Sequence, residues 1–283
     1  VAVSAAKIRA RQATNLVFVV FCVAVTAVAL VALALILWSL VSQGLGGLNP
    51  RIFTMDTPAA GSPGGLRNAI VGSILMAGLG MVIALFLGIF AGTWLSEYAG
   101  QSRYGSVVRF LNDVLLSAPS ILVGLFVYYI LVRPFHGFSG FAGAVALGLL
   151  AAPVITRTTE DVLKLQPIAL RESGVALGAP VWHVIRTILW RSSTSGLLTG
   201  ALLAFARISG ETAPLLFTVL SAQFLDFNMA HQIGSLPVAI FNYALTPYPD
   251  LNKLAWAGAL LIAASTLGVT IVARALSKEQ KRS

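Results

Sequence analysis

Long stretches without a charged residue dominate the chain, separated by short clusters of Lys, Arg, Asp and Glu. A helix crossing the roughly 30 Å hydrocarbon core of a bilayer needs about 20 mostly apolar residues. Six stretches qualify or come close: 16–41, 68–95, 107–131, 141–155, 193–220 and 254–273. They predict an all-α integral membrane protein with six transmembrane helices. The first stretch follows Lys7, Arg9 and Arg11, as a secretory signal would. A signal h-region is only about 7–15 residues long, so this run reads as a retained anchor. The connection 221–253 is rich in proline, and 229–243 within it could form a short interfacial helix.

Composition narrows the class. Of 283 residues, 57% are hydrophobic and only 10% are charged, against about 25% charged in a soluble domain. That supply cannot cover a soluble globule, and disorder requires the opposite balance. The single cysteine, Cys22, excludes a disulfide scaffold. The scatter of His136, His183 and His231 excludes a Cys/His metal site. A net charge of +9 would suggest nucleic acid in a soluble protein, but here the basic residues sit between apolar runs. If the N-terminus is cytoplasmic, Arg51, Arg67, Arg133 and Lys253 fall outside and Arg207 lies within a span, leaving fourteen of the 19 inside. This positive-inside asymmetry predicts both termini in the cytoplasm.

The cytoplasmic connection 156–192 carries the most information. Thr158-Thr159-Glu160-Asp161 reads as a helix start, with a Thr cap and an acidic first turn. Pro167 suits the start of a second helix through Leu177, Gly178 a stop, and Pro180 the start of a third. Val181, Val184, Ile185, Ile188 and Leu189 recur along one helical face. On physics alone this is equally a surface-lying amphipathic loop or a docking element.

The spacing Glu172, Ser173, Gly174, three residues, Gly178, nine residues, Ile188 resembles the "EAA" loop of ATP-binding-cassette importer permeases. Ser-Gly stands where that motif has Ala-Ala, and Trp190-Arg191 where it often ends in Leu-Pro. The resemblance implies a type I importer (MetI-like) permease fold, with coupling helices that seat Glu172, Ser173, Gly174 and Gly178 against a cytoplasmic ATPase. The runs 118–124, 170–179 and Gly210-Glu211-Thr212-Ala213-Pro214-Leu215 are similar to the phosphate branch, of PstA type. That likeness implies an inorganic phosphate importer in a bacterial inner membrane. Its partners would be a PstC-like permease subunit, two PstB-like ATPase subunits holding ATP and Mg2+, and a PstS-like phosphate-binding protein. It also divides the chain into 1–67 (cytoplasmic N-terminus, first span and outer loop), 68–275 (permease domain) and 276–283 (cytoplasmic tail). Permeases for sulfate or molybdate, and ion-driven secondary transporters, stand as alternatives.

No Gly-x-x-x-x-Gly-Lys-Ser/Thr phosphate loop and no nucleophile–base pair occurs in the chain. It therefore reads as a non-enzyme, without cofactor or metal of its own. Arg207 and Glu211 lie four apart, so they are expected to share a face of the fifth span. Such charges are costly in a membrane and usually face protein or water, so the pair reads either as a substrate-pathway element or as a structural ion pair. Pro214 removes the bond to the Gly210 carbonyl, predicting a kink at Gly210 and Pro214. Asp113 reads as structural. Gly88 and Gly92, in the second span with Gly78 and Gly80, have the spacing for close helix packing.

Overall fold

The computed structural model describes residues 5–279, which form helices and connections without a β-strand. In chain order these are α1 (Ala5–Gly47), α2 (Arg51–Thr54), α3 (Arg67–Glu97), α4 (Arg103–Ser117) and α5 (Ser120–Val127), extended by a π-helical turn, Tyr128–Val132. Next come α6 (Gly140–Lys164), α7 (Ile168–Ala176) and α8 (Val181–Val184). A second π-helical turn, Ile185–Leu189, joins α8 to α9 (Trp190–Ser192). The remainder is α10 (Thr194–Ser209), α11 (Ala213–Thr218), α12 (Leu236–Ala244) and α13 (Pro249–Glu279). Of the expected tail 276–283, Lys281 and Arg282 lie outside the described residues.

Among the described residues, four helices are long and apolar enough to cross a membrane: α1 from Arg11, α3, α6 and α13 as far as Ile271. The expected third span is not one straight helix. Its two parts, Arg103–Ser117 and Ser120–Val132, meet at 106°. Ala118 and Pro119 both have ψ near 130°, as the steric demand of proline on the residue before it requires. The fifth breaks outright instead of kinking, with α10 ending at Ser209 and α11 restarting at Ala213. A helix running through Pro214 would press its ring against the Gly210 carbonyl and leave that carbonyl without a donor. At 16 residues, α10 is shorter than a full span.

The fourth expected span is longer than 141–155, and this corrects the reading of Thr158–Thr159–Glu160–Asp161 as a helix start. Those residues lie inside α6. Two hydroxyls bond back along the helix: Thr156 Oγ1 donates to Ala152 O at 2.9 Å and Thr158 Oγ1 to Val154 O at 2.8 Å. Threonines used this way do not cap.

The packing centre is the contact of α3 with α6. Met76, Ala84, Leu147, Ala151 and Ile155 are buried there, joined by Ile208 of α10 and Leu215 of α11. Lipid tails are as apolar as these side chains, so close packing must hold the pair rather than the hydrophobic effect. Glycines permit the approach, Gly80, Gly88 and Gly92 on α3 and Gly148 on α6. A Cβ on Gly88 would lie 2.6 Å from Ile155 Cβ, and one on Gly92 would lie 2.6 Å from Thr159 Cβ. Gly78, on the same helix, has nothing within 4 Å of such a Cβ.

At the opposite end from α7, the segment 55–68 is stitched to 221–236. Asp56 Oδ1 accepts from Arg67 Nε at 3.0 Å, and Oδ2 from Leu225 N at 3.1 Å. The Arg67 bond holds the Asp56 carboxyl below its ordinary pKa. Asn68 Nδ2 donates to Ala222 O at 2.8 Å, and Leu236 N donates to Ser73 Oγ at 2.7 Å. This fixes α12, which is shorter than the expected 229–243 helix, against α3.

Gly92→Ala is expected to cost about 1–3 kcal/mol by overpacking and to lower the thermal unfolding midpoint of the solubilised chain. Gly78→Ala should leave it unchanged or slightly raised. Equal midpoints for the two variants would contradict the seam.

Candidate functional site

The α7–α9 loop is a folded unit gripped by the ends of α3 and α6. Pro167 opens α7 and Gly178, at φ +79°, closes it. This positive φ is the left-handed conformation that glycine adopts without strain. Gly174 is buried, and a Cβ there would lie 2.7 Å from Val184 Cγ2 and 3.2 Å from Ile188 Cδ1. It therefore sets how closely the chain folds back on itself. Val184, Ile185 and Leu189 of the expected apolar face are buried, whereas Val181 is exposed. Leu163 and Leu170 join them in a small core.

One ion pair fixes this unit. Arg171 Nε lies 2.8 Å from Glu97 Oε2, and Arg171 Nη2 donates to Glu97 Oε1 at 2.8 Å, a two-pronged contact. The same guanidinium donates to Gln166 O at 2.9 Å and Leu163 O at 2.8 Å, carbonyls at and just past the end of α6. The Glu97 bond raises the Arg171 pKa above its already high ordinary value, so the charge is permanent at any working pH. Ser96 Oγ donates to the same carboxylate at 2.8 Å. Trp190 Nε1 donates to Thr93 Oγ1 at 3.1 Å, a second tie from the loop to α3.

A second carboxylate lies nearby. Glu160, 2% exposed, accepts from Arg109 Nε at 2.6 Å and from Lys164 Nζ at 2.5 Å. Arg109 Nη2 also donates to Leu95 O and Gly100 O, each at 3.0 Å. Sequence reasoning missed Glu97, Glu160, Arg109 and Arg171 as interacting groups. The available signal was an acid at the end of one apolar run and another just past the end of the next. Asp113 reaches Arg157 only at 3.9 Å on an exposed surface, in keeping with a structural reading.

The residues expected to touch a partner divide accordingly. Glu172 and Ser173 are exposed on α7, and Gly174 is buried beneath them. Gly178 is exposed at the turn. Around them Ile168 and Leu177 are 70% and 88% exposed, an apolar surface with an acid at its centre that no described residue covers.

Arg207 and Glu211 are not brought together as expected. Arg207 is in the last turn of α10, while Glu211 lies in the break before α11, so they share no helical face. Among the described residues no ion pair links them, and both are half-buried. The cation at a helix C-terminus is favourable by itself. Beside the break, bordered by Gly210 and Pro214, neither side chain has a charged partner among the described residues.

Residues 84–282 match the family of binding-protein-dependent transport system inner membrane components. The phosphate transport system permease protein PstA of Haemophilus influenzae is 51% identical over 246 residues, covering 87% of both chains. The probable phosphate transport system permease protein PstA of Methanocaldococcus jannaschii is 34% identical over 245 residues, covering 86% of both. Among solved structures, a chain of the MetNI methionine ABC transporter in an inward-facing conformation superposes with a TM-score of 0.62 at 18% identity. It covers 75% of this chain and 94% of its own. That likeness shows the same fold over three quarters of this chain.

Replacing Arg171 with Lys keeps the charge but removes the fork. It is expected to weaken loop docking by about 1.5–3 kcal/mol. Limited proteolysis should then cut within 165–193 sooner, with helical content unchanged. Glu97→Gln should behave alike. Wild-type cleavage rates in both would show that the pair does not hold the loop.

Proposed function

The chain belongs to the family of binding-protein-dependent transport system inner membrane components, and from that premise we propose that it is the permease subunit of an ATP-driven phosphate importer. It supplies half of the transmembrane pathway for inorganic phosphate. The observation that carries the substrate is the 51% identity, over most of both chains, to a phosphate permease. A PstC-like subunit supplies the other half, two PstB-like subunits hydrolyse ATP, and a PstS-like protein delivers phosphate. The exposed Glu172–Ser173 surface of α7, ringed by Ile168 and Leu177, supports coupling to the ATPase there. Gly174 and Gly178 shape it, and the Glu97–Arg171 pair transmits its movement to α3.

The distribution of basic residues supports a cytoplasmic position for this loop and for both termini. In a Cys22→Ser background, an impermeant thiol reagent applied from outside should label a cysteine at Asn242 and not one at Ser192, both exposed positions. Labelling at Ser192 alone, or at both, would reverse or break this topology.

Phosphate crosses as an anion and must shed part of its hydration shell. Arg207 suits that step because its planar fork stays ionised and donates several bonds. Its lack of an ion-pair partner among the described residues supports a role toward a ligand. Glu211, across the break, can compete for the guanidinium and limit how long phosphate stays. Arg207→Gln should abolish ATP-dependent phosphate uptake in proteoliposomes while assembly persists, and Arg207→Lys should retain part of it. Exchanging the two residues should not restore uptake, because the positive charge moves off α10. Normal uptake by Arg207→Gln would leave Arg207 as no more than a favourable charge at a helix end.

A further inference from the structure

A groove of about 370 Å³ opens beside the last two turns of α3. Its walls include Phe90, Trp94 and Tyr98 of α3, with Trp182, Arg186 and Trp190 of the α8–α9 segment opposite. We propose that it holds an anionic phospholipid of the inner leaflet, with the headgroup on Arg186 and an acyl chain along Phe90. The inference rests on the orientation proposed above, which the cysteine labelling tests separately.

Three observations carry it. First, the groove runs along the membrane boundary. From Phe90, inside the apolar span, to Tyr98, just past its end, the helix rises about 12 Å, roughly the depth from acyl chain to headgroup. Second, its walls are chemically those of the interface, where Trp and Tyr concentrate. Trp182 and Tyr98 are 60% and 56% exposed. Trp190 has already spent its N–H on Thr93, so it offers an aromatic face rather than a donor. Third, the charge is complementary. Arg186 is exposed and has no acidic partner among the described residues. Anionic lipids are concentrated in the cytoplasmic leaflet, and basic pockets between membrane helices on that side bind their headgroups. Free phosphate would need no aromatic wall. The exposed Ile168 and Leu177 do not line the groove, so it is separate from the proposed ATPase contact.

Brominated acyl chains quench tryptophan, which gives a direct reading. The full chain, with Trp38 and Trp256 replaced by Phe, is placed in phosphatidylcholine nanodiscs. It is then titrated with brominated phosphatidylglycerol or brominated phosphatidylcholine. Half-quenching should come at a lower mole fraction of the anionic lipid. Arg186→Gln should raise that fraction about five-fold, the effect of one basic residue near a charged surface, and Arg186→Lys should retain most of the preference. Inorganic phosphate should not compete. Equal quenching by both lipids, or an unchanged preference in Arg186→Gln, would overturn the proposal. So would loss of the preference on adding phosphate, which assigns Arg186 to a free anion. Release of the phosphatidylglycerol otherwise retained by the chain when the ATPase subunit is added, read by native mass spectrometry, would give the groove to a protein interface and equally overturn it.

Discussion

The seam between α3 and α6 is the constraint on which the rest of the structure depends. In a bilayer no hydrophobic force draws apolar helices together, so association rests on close fit and on buried polar contacts. Gly88 and Gly92 supply the fit by leaving room for Ile155 and Thr159. Once paired, the helices end near one another, at Glu97 and Lys164. The α7 loop is then not a tether between two spans but a body seated on both helix ends. Arg171 bonds the carboxylate of one and two carbonyls at and just past the end of the other.

Charge is distributed in two regimes. Glu97 and Glu160 are nearly enclosed, with 6% and 2% of their side chains exposed, and each is answered by an arginine. Taking a carboxylate out of water is repaid only when its partners are well placed, and here both acids have more than one donor. Such a cluster makes the loop end rigid. Arg207 and Glu211 follow the other regime, half-buried and without a charged partner among the described residues, beside the break between α10 and α11. A rigid loop end and an unpaired cation at mid-chain suit a protein that receives force at one place and handles a ligand at another.

The elements set by local chemistry were the legible ones. Apolar length located α1, α3, α6 and α13, and Pro167 with Gly178 bracketed α7 because each acts through its own backbone, proline by fixing φ and glycine by tolerating a positive one. The Ala118-Pro119 run was in plain view, yet hydropathy has no direction and could not show that its two helices meet at 106°. Thr158–Asp161 imitates a cap because threonine serves equally well as a cap and as a hydroxyl bonding back along a helix. Only the burial of Glu160 between Arg109 and Lys164 separates the two. The Glu97–Arg171 pair joins residues 74 positions apart, and nothing in one sequence links them. Arg207 and Glu211 stand out in the sequence as charges within an apolar run, but their relation depended on a helix that Pro214 does not allow.

The central claim is that α7 presents its exposed face to the ATPase that drives transport. Ser173 lies on that face beside Glu172, with its hydroxyl bonded only to Leu170 O at 3.1 Å, so a cysteine there should disturb little. In membranes holding the whole transporter, a Ser173→Cys chain lacking Cys22 would be treated with a short thiol-to-amine cross-linker. The account predicts a product joining this chain to the ATPase subunit, and none when the cysteine is at Asn242. A transporter that still takes up phosphate with ATP, yet yields no product at Ser173 or yields it only at Asn242, would contradict the account.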